Sequence, residues 1–281
     1  MATSIDGRAL SKELLEQVHA EVTELGVPII VRALAIAPTP ATRSYLRIKE
    51  RAAVAAGMQL ELRELPEESI EAMIIEQIQE PGADAVIVQL PLPVQHDIGR
   101  ILNAIPLELD ADVLSARTRE LQTTNVQELV APVAAAVDEV LARASIDPAG
   151  MRVMVIGEGR LVGAPVAARL AQRGARVTTL NEHSFTPTAL LDADIIVSGA
   201  GVPHLVKPDM IRDGVVLIDA GTSEQKTEHG SAIVGDIDPA CAEKARLYTP
   251  VPGGIGPLTV ACLFRNVLTL VKLRKRNNAL H

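Results

Sequence analysis

Tyr45 and Lys49 stand four residues apart in a segment, 41–56, whose apolar spacing predicts a helix closed by Gly57. A phenol and an ammonium at that spacing share one helix face. In a partly buried cleft such a lysine has a lowered pKa and can act as a base, because burial penalises its charged form. The plainer reading is a solvated lysine beside an ordinary packing tyrosine, and spacing alone favours it. Gln89 is the second candidate, a polar residue in the otherwise apolar run VIVQLPLP at 86–93. A glutamine ending a buried strand must find partners, and a ligand or a neighbouring backbone group would serve equally. Asp110 and Asp112 lie in a loop, where a carboxylate is more often a solvated turn residue than a ligand.

A different chemistry is suggested by residues 151–182, MRVMVIGEGRLVGAPVAARLAQRGARVTTLNE. Met151–Ile156 reads as a buried strand, and Gly157, Gly159 and Gly163 follow before a helix from Pro165 to Gln172. Gly174 ends that helix, and Ala175–Leu180 reads as the next strand, which completes a βαβ crossover. Glycines there let backbone N–H groups approach a pyrophosphate, held at the positive end of the helix. The spacing, Gly-x-Gly-x-x-x-Gly, departs from the commoner one, and a glycine trio alone also suits a purely structural turn. Glu182, an acid at the end of the second strand, adds weight because it could bond a ribose 2′-OH. A second glycine-rich loop, TPVPGGIGPLT at 249–259, is costly in chain entropy. Close approach of its backbone to a ligand explains its glycines more readily than structure alone.

The elements that must position these residues alternate along the chain. Helices are predicted over 8–25, 41–56, 66–79 (with Glu67 and Glu68 in its first turn) and 97–104. Strands are predicted over 29–37, 58–64 and 83–90 between them. A long helix over 126–144 leads to the glycine loop, strands near 194–198 and 215–219 follow, and an amphipathic helix over 258–275 ends the pattern. Gly199 and Gly201 come just after the first of those two strands, where open α/β sheets bind ligands. The expected fold is therefore α/β: two domains with parallel sheets, the second Rossmann-like. Residues 1–125 with 258–281 would form the first domain and 126–257 the second.

Composition narrows the function classes. The 281 residues are 48% hydrophobic and 22% charged, as in a soluble globular protein. With no Trp, two Tyr and two Phe, the core must be aliphatic, and a Tyr in a suggestive place gains weight. A net charge of −8 argues against nucleic acid or an anionic membrane as partner. The basic cluster Lys272–Arg276 ends a helix, where cations complement the dipole. Cys241 and Cys262 show no ligand spacing and the six His are scattered, so no metal site is expected. MATSIDGRAL has no apolar signal core and no apolar run approaches membrane-spanning length, so a cytoplasmic protein is expected.

Taken together, the chain resembles the bifunctional methylenetetrahydrofolate dehydrogenase/methenyltetrahydrofolate cyclohydrolases over nearly its whole length. The matching motifs are Pro40-Ala41-Thr42 through Tyr45-x-x-x-Lys49, Val88-Gln89-Leu90-Pro91-Leu92 and Thr249-Pro250-Val251-Pro252-Gly253-Gly254-Ile255-Gly256-Pro257. Val162-Gly163-x-Pro165, Ile218-Asp219-x-Gly221 and Gly235-Asp236-Ile237 match as well. The resemblance implies oxidation of methylenetetrahydrofolate by a nicotinamide dinucleotide and hydrolysis of the methenyl product to 10-formyltetrahydrofolate. It implies Lys49 as general base, Gln89 tuning it, Tyr45 stacking on the folate and Asp112 anchoring the pterin. Val88, Leu90, Pro252, Gly253 and Gly256 would also border the folate, in a cleft between the domains. Gly157, Glu158, Gly159, Gly163, Glu182 and Thr222 would meet the cofactor, and a homodimer is the family habit.

The cofactor half departs from the family pattern. The family usually has Gly-Arg-Ser where Gly157-Glu158-Gly159 stands, and that arginine meets the 2′-phosphate of NADP. It tends to have His-Ser at Asn181-Glu182 and Ile at Thr222. Two carboxylates near the ribose suit a free hydroxyl, so NAD preference, or weak use of NADP, is expected, with NADP the family default. Arg160 swinging in would rescue phosphate binding. Val113 replaces the family's Gly after the aspartate, and Leu129-Val130-Ala131-Pro132 replaces Pro-Cys-Thr-Pro. A monofunctional cyclohydrolase with a degenerate cofactor loop, or a non-catalytic folate- or nucleotide-binding paralogue, are the competing readings.

Overall fold

The computed structural model describes residues 3–123, 129–227 and 230–278. Thr3–Ser4 (β1) and Gly7–Leu25 (α1) are followed by Ile30–Ile36 (β2), Pro40–Ala55 (α2), Gln59–Leu65 (β3) and Glu71–Gln79 (α3). Ala85–Val88 (β4), Ile98–Asn103 (α4), Ala116–Thr123 (α5) and Pro132–Arg143 (α6) come next. Arg152–Ile156 (β5), Gly163–Gln172 (α7), Arg176–Leu180 (β6), Ile195–Ser198 (β7) and Val216–Asp219 (β8) then alternate as a βαβ series. Ser223–Thr227 (β9), Gly230–Val234 (β10), Leu247–Tyr248 (β11) and Ile255–Asn278 (α8) complete the described elements.

Two units divide these elements. The first takes residues 12–132 and 260–278, the second residues 3–11 and 133–259. In the first, β2 is the centre of a parallel sheet ordered β3-β2-β4. Its Val31, Ala33, Leu34, Ala35 and Ile36 are buried, as a strand covered on both faces requires. Arg32 is the exception, 2% exposed. Its guanidinium stays hydrogen-bonded to the Glu80 and Gln77 carbonyls at 2.6 and 3.3 Å and to the Glu61 carboxylate at 3.4 Å. In the second unit a parallel sheet runs β1-β11-β8-β7-β5-β6, and β9 pairs antiparallel with β10 beside it in sequence.

Several expectations shift. The N-terminal residues, expected with the first domain, pair instead with the second unit's sheet: Thr3 and Ser4 lie beside Leu247 and Tyr248 in parallel register. Helix α3 starts at Glu71 rather than 66, because the Ser69 N–H bonds the Pro66 carbonyl at 3.2 Å and closes a turn there. Glu67 and Glu68 thus precede the helix. The helix expected over 126–144 begins at Pro132, since the residue before a proline is driven out of the helical region; residues 126–128 lie outside the described residues. Helix α5 and the β9–β10 pair were not expected at all.

Helix α8 is longer than expected. Its 24 residues include an 18-residue window of mean hydropathy 1.3, enough in length and composition to cross a membrane, contrary to expectation. Most of that window is buried in the protein instead, with Leu258, Ala261, Leu263, Phe264 and Val267 in the core. Its basic end does more than complement a dipole. Lys272 pairs with Glu21, Lys275 bonds the Leu25 carbonyl at 3.2 Å, and Arg274 bonds the Asp84 carboxylate at 2.9 Å.

Candidate active site

In the first unit, residues far apart in sequence meet around Lys49. Helix α2 starts with Pro40 in its first turn, and Thr39 caps it by accepting the Thr42 N–H at 3.1 Å. The apolar stripe that seats the helix includes Leu46, Ala52 and Ala53, and Lys49 lies on the same face. Lys49 is 5% exposed, so it is a buried lysine and not a solvated one. Its Nζ donates to Gln89 Oε1 at 3.1 Å and lies 3.8 Å from Asp112 Oδ2. The Tyr45 ring centroid is 5.3 Å from the same Nζ, within cation–π reach.

Each partner is positioned by its own element. The Gln89 N–H continues the sheet by bonding the Leu34 carbonyl at 2.8 Å. Its carboxamide nitrogen donates to the Leu90 carbonyl at 2.7 Å, which leaves the oxygen turned to Lys49. Leu90–Pro91 is a cis peptide. Asp112 sits in a loop held by Asp110, which is fully buried and accepts the Leu114 and Ser115 N–H groups at 3.0 and 2.9 Å. Val113 follows at φ +57°, the left-handed region that favours glycine. That explains the family's glycine here, and a valine in that conformation costs about 1–2 kcal/mol. Asp112 still reaches Lys49. Val88 is 1% exposed and its side chain serves the core; Leu90 packs against the same cluster.

Burial dominates the electrostatics. It lowers the Lys49 pKa, and the Asp112 charge pulls in the opposite direction. It raises the Asp112 carboxyl, against the lowering effect of Lys49. Tyr45 keeps 37% of its surface exposed, yet its hydroxyl is pushed up to about 12 by burial first and the Asp112 charge second. The phenol therefore stays protonated and offers a ring face. The lysine can lose its proton and serve as a base.

The second unit builds a different site. The sheet order puts a topological switch between β5 and β7, whose loops lie against each other. A Cβ on Gly163 would stand 1.9 Å from the Gly157 carbonyl oxygen, and one on Gly157 2.7 Å from that of Gly199. Gly157 also has φ +100°. These contacts bring the start of α7 directly against the end of β5. The first turn of α7 has no side-chain cap; the Ala164 N–H bonds the Gly159 carbonyl at 3.2 Å and Pro165 carries no N–H, so the Gly163 N–H at the positive end of the helix is the group that suits an anion such as a pyrophosphate. A Cβ on Gly159 would meet nothing within 4 Å, so packing does not require that glycine. The residues present thus fit a dinucleotide.

Glu158 and Glu182, expected near one ribose, have different partners. Asn181, the first residue beyond β6, donates from Nδ2 to Glu158 Oε2 at 3.1 Å. The Asn181 side-chain oxygen also accepts the His183 and Ser184 N–H groups at 3.0 and 3.1 Å. That turn carries Glu182 outward, where its side chain is 86% exposed beside His183. Only Glu158 is held at the glycine loop. Thr222 is exposed after Gly221. In the second glycine-rich loop, Gly253 has φ +110°, and a Cβ on Gly254 would fall 2.6 Å from the Pro250 carbonyl oxygen. A Cβ on Gly7 would fall 1.7 Å from the Gly254 oxygen. Backbone conformation thus accounts for Gly253 and close packing for Gly254, while a Cβ on Gly256 would meet nothing within 4 Å. Val251–Pro252 is a second cis peptide.

Comparison with known proteins bears on both sites. The tetrahydrofolate dehydrogenase/cyclohydrolase catalytic-domain model matches residues 5–112, and the NAD(P)-binding-domain model of the same family matches residues 131–275. The chain belongs to the tetrahydrofolate dehydrogenase/cyclohydrolase family. The bifunctional protein FolD of Heliobacterium modesticaldum is 38% identical over 282 residues, 97% of each chain. A Trypanosoma brucei methylenetetrahydrofolate dehydrogenase-cyclohydrolase, solved with NADP and an inhibitor, is 32% identical with a TM-score of 0.92 over 98% of this chain and 99% of that one. The NAD-dependent methylenetetrahydrofolate dehydrogenase of Saccharomyces cerevisiae shares the fold, with a TM-score of 0.81 at 19% identity over 99% of each chain. Like its family, this chain is a two-domain α/β enzyme with a catalytic and an NAD(P)-binding domain.

Proposed function

We propose that this chain oxidises 5,10-methylenetetrahydrofolate with NAD in preference to NADP, then hydrolyses the methenyl product to 10-formyltetrahydrofolate. The observation that carries the hydrolytic step is the buried Lys49, with Gln89 and Asp112 at its amine and Tyr45 alongside. Neutral Lys49 takes a proton from the attacking water as its oxygen bonds to the methenyl carbon. Collapse of that adduct breaks the carbon–N5 bond: N5 takes a proton back from the Lys49 ammonium, the hydroxyl proton leaves to solvent as C=O forms, and the formyl group stays on N10. A lowered lysine pKa also avoids placing an ammonium beside a cationic substrate. Tyr45 offers its ring to the flat part of the folate, and Asp112 accepts from the pterin's N–H groups.

Bound dinucleotide supplies the hydride acceptor for the first step. Hydride transfer removes no proton, so the protein's contribution there is position. The Gly157–Gly163 backbone, which ends at the positive end of α7, suits the pyrophosphate. Glu158, held by Asn181, supports NAD because a carboxylate repels a 2′-phosphate and accepts from a 2′-hydroxyl. The surviving cluster around Lys49 disfavours a non-catalytic paralogue, and the fitting glycine loop disfavours a monofunctional cyclohydrolase. A cytoplasmic homodimer belongs to the same reading, supported by the composition and the family resemblance.

The test is formation of reduced nicotinamide from methylenetetrahydrofolate with NAD and NADP in parallel, together with decay of methenyltetrahydrofolate. Faster turnover with NAD is expected; faster turnover with NADP would discard the role given to Glu158. A Gln89→Glu variant probes the base. A carboxylate at the position of Oε1, 3.1 Å from Nζ, should raise the lysine pKa by favouring its charged form. Methenyl hydrolysis near neutral pH should then fall about tenfold, with its pH profile moved to higher pH. An unmoved profile would mean that Lys49 is not the titrating group.

A further inference from the structure

The second unit also buries two carboxylates, Asp219 at the end of β8 and Asp236 just beyond β10, 1% and 0% exposed. Asp236 Oδ2 accepts from Ser198 Oγ at 2.8 Å and from the Ala200 and Gly201 N–H groups at 2.7 and 3.2 Å. Its Oδ1 accepts the Val202 N–H at 2.9 Å. Four donors thus converge on one side chain, and three of them are consecutive backbone groups of a single loop.

Asp219 holds this carboxylate in turn. Its Oδ1 accepts the Gly221 and Asp236 N–H groups at 2.9 and 3.2 Å, and its Oδ2 accepts the Ile237 N–H at 2.8 Å. Its own N–H donates to Thr249 Oγ1 at 2.8 Å. The glycines beside the pair make the fit possible. A Cβ on Gly221 would stand 2.2 Å from Asp236, and one on Gly235 2.1 Å from Asp219. Burial pushes the Asp219 carboxyl up to about 6, against three N–H groups that favour its ionised form. Two adjacent carboxylates out of water are an expensive way to close a surface loop. The position of the loop supplies the reason. Residues 199–202 leave β7 at the switch point, and the Gly199 carbonyl oxygen is the atom that a Cβ on Gly157 would meet.

We propose that Asp236 is a positioning residue for the dinucleotide, fixing the backbone of residues 199–202 as the wall of the crevice facing the Gly157–Gly163 loop. The inference rests on the NAD(P)-binding reading of this unit. Asp219 keeps the Asp236 backbone in place and does not itself face the crevice loop. An Asp236→Asn side chain keeps one oxygen for the donors on Oδ2 and turns an N–H2 group against the Val202 N–H. Asp236→Ala loses every contact.

The experiment is the dissociation constant of NAD and NADP for each variant, measured by calorimetry, beside the melting temperature and the rate of methenyl hydrolysis. Asp236→Asn should weaken dinucleotide binding about tenfold, and Asp236→Ala still more, so the isostere partly rescues. Methenyl hydrolysis without dinucleotide should stay within about twofold for Asp236→Asn, since it needs only the groups around Lys49. Ser198→Ala removes one donor, leaves the carboxylate, and should weaken binding about threefold; it decides the matter if both Asp236 variants fail to fold. Unchanged dinucleotide affinity in a folded variant overturns the assignment. So does a parallel loss of affinity, hydrolysis and melting temperature, which would mark a purely structural role. Wild-type protein that bound neither dinucleotide would remove the NAD(P) reading, and this role with it.

Discussion

Replacing Lys49 with Met is expected to cut methenyl hydrolysis about a thousandfold, with hydride transfer reduced far less. The asymmetry follows from the chemistry. Hydrolysis needs a base where Nζ stands, whereas oxidation of the methylene carbon releases no proton for Lys49 to take. Methionine keeps most of the buried stem and the packing of α2, so a loss of hydrolysis is not a loss of fold. Asp112 then loses the amine whose charged form lowers its carboxyl. Its carboxyl, already raised by burial, moves further up and takes a proton in place of standing as a buried anion. A folded pKa raised above the unfolded value contributes stability that is complete at low pH. That stability is lost as pH rises through the folded pKa. The variant should therefore melt relatively higher under acid conditions than wild type does, in paired thermal melts across pH. Hydrolysis within tenfold of wild type would remove Lys49 as the base.

Exchanging Glu158 for Arg should tighten NADP binding by about ten- to a hundredfold. It removes one repulsive carboxylate and adds a charge-assisted partner for the phosphate. The present carboxylate is not loose, since Asn181 donates to it at 3.1 Å. Glu158→Gln separates the two effects: it keeps an acceptor for a ribose hydroxyl while ending the repulsion, and should account for the smaller part of the gain. Dissociation constants for both dinucleotides, measured at one ionic strength, are the decisive readout, because phosphate contacts are screened by salt. An unaltered NADP-to-NAD ratio in both variants would mean that position 158 does not face the 2′ substituent.

Much of the first site was legible in sequence, for a local reason. Helical spacing put Tyr45 and Lys49 on one face, and an apolar strand made Gln89 conspicuous. What spacing alone could not supply was the burial that turns Lys49 from a surface residue into a base. Asp112 joins from a loop 63 positions along, brought in by Asp110 bonding two backbone N–H groups. The cofactor side was harder. Both glutamates lay at the right places for a ribose acid, yet the Asn181 turn, a matter of two backbone hydrogen bonds, sends one of them outward. The Asp219–Asp236 pair gave only a motif match, because its meaning depends on loops from β7, β8 and β10 meeting. Boundaries moved where local turns overrode pattern, as at Ser69 and Pro132. β1 escaped notice because two exposed residues carry no strand signal of their own.

The division of the chain has a consequence for its birth on the ribosome. Residues 3–11 belong to the unit whose remaining residues run from 133 to 259, and the unit that begins at residue 12 is completed only by residues 260–278. Synthesis is vectorial, so the edge strand of the nucleotide-binding sheet is made first and waits for its partners, which are all available once β11 has emerged. Most of the unit that holds Lys49 is translated before residues 133–259, but it lacks its closing helix until residues 260–278 follow them. Asn266, which bonds the Ala111 and Val130 carbonyls, and Arg274, which bonds Asp84, arrive with that helix. The unit holding most of the earlier residues is thus the later to be completed, and a nascent chain stalled short of α8 would carry a finished dinucleotide sheet and an open catalytic unit.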